Sequence, residues 1–181
     1  MKRIVLVALV AATAATAACI TAPSGAGQVR FSAALACGVE RWTVKTLQDR
    51  PALIPAQATT VAHLVSLPRP RSIPATRLPF ERRIFSVVAA VTLVRSEDDQ
   101  DLHLVLQSGP KHMIAEAPSP SCTIGATARR RRQMRNARSV VQPCARARVV
   151  GVAFFDFKHG QTGVAPNAIE LHPIIGFACL A

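Results

Sequence analysis

The chain contains no tyrosine, one tryptophan and seven phenylalanines, so aromatic residues make up only 4% of its 181 positions. That scarcity weighs against single-stranded nucleic acid as the main ligand, because such binding relies on exposed aromatic faces for base stacking. Catalytic signatures are missing too. No GxSxG elbow, CxxC pair or HxxxH pair occurs, which removes the hydrolase nucleophile turn and the common zinc-ligand spacings. Lysine is scarce: the basic residues are 18 arginines and 4 lysines against 10 acidic residues, for a net charge of +12. A cell-surface polyanion or a glycan is the partner class this balance admits, with nucleic acid a weak third. The bland explanation is strong, since abundant arginine and alanine are what GC-rich coding produces without any ligand.

What is present begins with an export signal. Met1-Lys2-Arg3 is a short basic start, IVLVALVAA is apolar and TAATAAC is small, the order of a signal peptide over residues 1–18. The apolar stretch is too short for a membrane span. Two processing readings compete: cleavage at an Ala-x-Ala site between Ala12 and Ala18, or a lipobox at Thr16-Ala17-Ala18-Cys19 with lipid on Cys19. Leucine would be usual at position 16, which puts plain secretion ahead. Residues 19–36 read as a flexible tether. The protein is thus expected in the periplasm, in the medium or at the cell surface, as a monomer.

Export favours cysteine pairing. Cys37, Cys122, Cys144 and Cys179 allow three connectivities. Cys122 and Cys144 bracket the arginine-rich segment and are the first expectation, leaving Cys37 with Cys179. An unbroken helix from Ala126 to Gln142 would be about 25 Å long and would hold that first pair apart, so its flanks must fold back or it must be shorter.

Residues 37–80 are rich in proline and predict an irregular wrap, with one short helix capped by Thr59-Thr60 and Trp42 as a packed anchor. Residues 81–181 predict the domain proper. FSVVAAVTLV, DLHLVLQS and KHMIAEAP read as three strands. Arg130, Met134, Ala137 and Val141 fall at helical spacing on a very basic helix over 126–142. RARVVGVAFFDF and AIELHPIIGFACL read as two further strands, Pro173 making the last an edge or introducing a bulge. Three strands, a helix and two strands is the order of an OB-like β-barrel, a mainly β class. Staphylococcal-type nucleases share the arrangement, but no matching set of their active-site arginines and carboxylates is present.

Three long blocks carry a resemblance: CGVERWTVKTLQD (37–49), DLHLVLQS (101–108) and FFDFKHGQTGVAPNAIELHPIIGF (154–177). Together, in this order, they resemble a family of uncharacterised secreted bacterial proteins. The resemblance implies a shared fold and export, and no activity. The run Arg129 to Arg132 departs from the family pattern.

Candidate chemistry lies in two short patterns. Asp101-x-His103 and Glu170-x-His172 each place a carboxylate and an imidazole two apart on a strand, on one face. Sharing a groove, the four could hold a divalent transition metal, with Asp156 and His159 as orienting group and base of a metal-dependent phosphodiesterase or nuclease. The favoured reading is that these are solvated outer positions, with Ile169 and Leu171 facing inward, and that the protein is a non-enzymatic binding or structural module without cofactor. Ligand candidates are His159, Gln161, Thr162 and Asn167 on the HGQTGVAPN loop, which turn chemistry alone could also explain, and Arg129, Arg130, Arg131 and Arg132 on the helix.

Overall fold

A computed structural model describes residues 37–38 and 40–181. The expected signal peptide (1–18), the lipid-acceptor candidate Cys19 and the tether (19–36) lie outside the described residues. The protein is mostly β. Its elements run α1 (Trp42–Lys45), β1 (Ile54–Thr59), α2 (Val61–Ser66), β2 (Arg83–Ser96), β3 (Leu102–Ser108), β4 (Lys111–Ala117), α3 (Ala128–Arg138), β5 (Cys144–Phe155) and β6 (Ile169–Cys179).

The six strands form one mixed sheet in the order β1-β2-β3-β4-β6-β5, and β2 also pairs with β5. The length of β2 allows this. Its first half pairs with β5 from Ile84 to Val91 and its second half with β3 from Ala90 to Ser96. The pairings therefore run β2–β3–β4–β6–β5 and return to β2. The turn between β3 and β4 is Gly109-Pro110, with Gly109 at φ 56° as a two-residue hairpin requires.

Alternation along the strands sends Val87, Leu104, Leu106, Met113, Ala115, Val149, Ile169 and Leu171 into one apolar core. Helix α3 is capped by the Thr127 side chain and buries Met134 and Ala137. Its exposed face carries Arg129, Arg132 and Arg135, while Arg130 and Arg131 are half-buried. Burial and the neighbouring Arg129 charge depress the Arg130 pKa.

Four expectations need correction. The wrap is not wholly irregular: it contributes β1, an exposed strand parallel to β2, whose Pro55 is compatible with an edge position. The short helix there is α2, and its Thr60 cap accepts from the His63 N–H. Trp42 is only half-buried, and Val44 and Leu47 are the buried anchors. The disulfides are Cys37–Cys122 and Cys144–Cys179, with Cα separations of 5.5 and 5.9 Å. Helix α3 keeps Cys122 and Cys144 apart, whereas antiparallel β5 and β6 bring the start of one to the end of the other. Finally, of the two readings of Pro173 the edge fails and the bulge holds: β4 and β5 flank β6, and the register slips opposite Pro173 between Gly151 and Ala153.

Candidate functional site: a buried carboxylate–histidine cluster

The second face of β3, β4 and β6 is not solvated. The segment from Arg41 to Leu47 and the loop after β5 cover it, and His103, Glu116, Glu170 and His172 are all buried. His172 is 0% and Glu170 1% exposed. The expectation that these side chains are outward and wet is overturned: both faces of the sheet are covered, so alternation separates an apolar interior from a polar interior. Asp101, just before β3, is buried beside them.

Register assembles the group. His103 pairs with Glu116 across β3 and β4, and Ile114 pairs with Glu170 across parallel β4 and β6. Two residues along from that pair, Glu116 meets His172, with Oε2 2.8 Å from Nδ1. Glu116 thus stands between the two histidines, its Oε1 3.3 Å from His103 Nδ1. The other His172 nitrogen, Nε2, is 3.4 Å from Asp101 Oδ2, and Glu170 Oε2 is 3.9 Å from Nδ1. The four residues read from the sequence do come together, but around Glu116 and not as one ligand set. Among the described residues, Asp101, Glu116 and His172 form one potential metal group and Glu97, His103 and Glu116 another, each within 4.8 Å. A third, Glu40–Asp156–His159, is mostly exposed.

Protonation follows from the partners. His103 Nε2 lies 2.8 Å from the Thr162 carbonyl, which can only accept, while its Nδ1 faces Glu116 and Glu97 carboxylates, both at 3.3 Å. Nε2 therefore donates, and the two carboxylates favour a second proton on Nδ1. Burial opposes this, but Glu116, Thr162 and Glu97 outweigh it and raise the pKa. His172 is held up more strongly, by the charges around it and without an aligned hydrogen bond: burial is outweighed by Glu116, Asp101 and Glu170, holding it well above 6.5. Burial would raise Glu116, yet His172, His103 and Lys45 hold it below the usual carboxylate range. Glu170 loses that contest: burial and the Glu116 charge push it up to about 7.

Lys45 reaches in from α1 and lies 3.3 Å from Asp156 Oδ2. Burial would lower its pKa, but Asp156, Glu116 and Glu170 raise it above the ordinary 10.5. Both Lys45 and Arg41 also lie over the Phe154 ring, at 5.5 and 4.6 Å from its centre. Alternation in KHMIAEAP could have marked Glu116 as sharing a face with Ile114. Lys45 carried no comparable signal.

The loop candidates divide. Asn167 closes the structure, donating to the Leu64 and Leu67 carbonyls and accepting from the Ile169 N–H. Thr162 contributes its carbonyl to His103. His159 and Gln161 remain at the surface, bonded to each other and to the loop backbone. With Gly160, they face the turn between β2 and β3 across a cleft of about 650 Å³, also lined by Arg95, Ser96, Glu97, Asp98 and Asp99. Glu97 reaches His103, and Asp99 accepts from the Asp101 N–H, so the cleft lies directly over the buried cluster.

No family model and no curated protein matches the chain. Among solved structures, a putative aspartyl-tRNA synthetase from Leishmania major Friedlin is similar over 67% of this chain and 20% of its own, at 13% identity and a TM-score of 0.43. Aspartyl tRNA synthetase from Entamoeba histolytica is similar over 72% of this chain and 26% of its own, at 14% identity and a TM-score of 0.40. The chain spans about a fifth to a quarter of the length of these synthetases, and at such scores the likeness says nothing about ligand or activity.

Proposed function

We propose that the protein is an exported, non-enzymatic binding module on an OB-like barrel, and that its ligand is a neutral or weakly charged glycan. The returning strand pairings and the parallel β4–β6 contact support the OB reading. With β2 as first strand of the barrel, the β2–β3 turn and the β5–β6 loop occupy the positions of the two loops with which OB-folds hold oligosaccharides and oligonucleotides. The observation that carries the proposal is that these two segments line the cleft, with an arginine, a histidine, an amide and three carboxylates and no aliphatic side chain. Hydroxyl groups can use both donors and acceptors of such a lining, whereas a phosphate backbone would meet Glu97, Asp98 and Asp99. Two disulfides suit an oxidising compartment, and no described helix is long and apolar enough to cross a membrane.

Backbone amide shifts followed during titration with neutral hexasaccharides, heparin and oligothymidylate test this. The expected result is localised shifts at 95–99 and 159–163 with a neutral sugar, lost in Gln161→Ala. Shifts confined to 128–138 with heparin would replace it with the polyanion reading.

A further inference from the structure

The buried cluster has polar atoms that its hydrogen bonds do not serve. His172 Nδ1 and Nε2 have carboxylate oxygens at 2.8 and 3.4 Å, yet neither nitrogen makes a hydrogen bond, because no oxygen lies along an N–H direction. Both Glu170 oxygens are likewise buried without a partner. Distance without alignment is a poor arrangement for a proton, which needs a near-linear bridge. An ion held through one of the two nitrogens needs no such bridge.

Charge points the same way. Asp101, Glu116, Asp156 and Glu170 are buried carboxylates, and Lys45 neutralises one of them at Asp156. The remaining three are balanced by protons on the two histidines and Glu170, or by one divalent cation together with a proton on His103. The 3.4 Å between His172 Nε2 and Asp101 Oδ2 is what two ligands at about 2.1 Å from one ion adopt at a tetrahedral angle. The cleft above has lining residues, Glu97 and Asp99, that touch His103 and Asp101, so solvent comes within one side chain of the cluster.

We infer that one nitrogen of His172, with Asp101 and Glu116, forms a binding site for one divalent transition-metal ion, the three ligand atoms lying within 4.8 Å of one another. One imidazole with carboxylate oxygens suits zinc, manganese or cobalt more than calcium or copper(I). The inference concerns metal binding alone and is independent of the glycan reading.

Cobalt(II) titration of chelator-treated protein, followed by visible absorption and by melting temperature, is the test. One cobalt per chain, displaced by zinc, with a rise in melting temperature is expected. Asp101→Asn, which keeps an oxygen for the Ser119 N–H that Asp101 accepts, should weaken binding at least tenfold. Glu40→Gln, which depletes the exposed Glu40–Asp156–His159 group, should leave binding intact. No stoichiometric cobalt, or binding lost in Glu40→Gln and kept in Asp101→Asn, overturns the inference. If Asp101→Asn does not fold, Glu116→Gln takes its place. If neither folds, cobalt-loaded Glu40→Gln protein decides by proton NMR: a hyperfine-shifted exchangeable imidazole resonance supports the site, and its absence overturns it.

Discussion

Arg41 donates from Nη1 and Nη2 to the two carboxylate oxygens of Glu81, at 2.7 and 2.6 Å, in a pair buried on both sides. Each Glu81 oxygen also accepts a backbone N–H, from Phe155 and Leu78, and Arg41 donates further to the Phe155 and Thr76 carbonyls. The pair thus ties the N-terminal segment to the end of β5. Removing one partner strands a buried charge, so Glu81→Ala should cost about 3–5 kcal/mol in urea unfolding. A loss below about 1 kcal/mol would show the pair to be solvated.

Leu171 and His172 point to opposite faces of β6, and both are fully buried. Leu171→Ala should cost about 2–5 kcal/mol through cavity formation. His172→Ala should be of the same order in metal-free protein, because it leaves the Glu116 and Asp101 carboxylates without their shared counter-charge. Melting curves of the two variants decide. A nearly neutral His172→Ala would mean that the covering segment does not exclude water.

Stability should be greatest near pH 4.5 in metal-free protein. Glu170 is raised from 4.5 to about 7, so its contribution is complete below 4.5 and lost as pH rises through 7. His172 is raised above 6.5, so its contribution is present below 6.5 and also lost on the alkaline side. Glu116 is lowered, so its contribution holds above 4.5 and is lost as pH falls. Denaturation midpoints across pH 2–9 should therefore decline on both sides of that maximum, and Glu170→Gln should flatten the alkaline decline. An unchanged alkaline limb in that variant would contradict the assignment.

Gly163 sits at φ +80°, where an added Cβ would lie 2.5 Å from Val105 Cγ2. Gly163→Ala should destabilise by about 1–3 kcal/mol through crowding alone. It should also pull the adjacent Thr162 carbonyl from His103, visible as a change in the His103 ring-proton shifts. Unaltered ring shifts would show that the loop adjusts without moving Thr162.

The Cys37–Cys122 bridge spans 85 residues, and replacing both cysteines with serine should cost about 2–5 kcal/mol. Hydrogen exchange should locate the loosening at 41–48. Loosening confined to β1 would exclude this bridge as the fastening of the cover.

Period-2 alternation made much of the sheet legible, because Leu104, Leu106, Ile169 and Leu171 each face the apolar core as their spacing requires. It also marked Glu170 and His172 as sharing a face. It could not tell that this face is roofed, since the roof is Arg41 to Leu47, a stretch without periodicity whose buried residues include an arginine. Glu116 went unnoticed for the same reason: one acidic residue in an apolar strand looks like solvent exposure until the neighbouring strand supplies His172. β1 was hidden by its proline and its exposed side chains.

The order of the chain has a consequence for how the polar interior closes. Asp101 and Glu116 come early in the domain, while Glu170 and His172 ride on β6, the final strand. In a chain emerging from its N-terminus, the early carboxylates remain hydrated until β6 docks between β4 and β5. Docking then desolvates them in the same step that delivers His172. Closure of this fold is therefore an uptake reaction, drawing protons or a cation from the surrounding medium as its last strand seats.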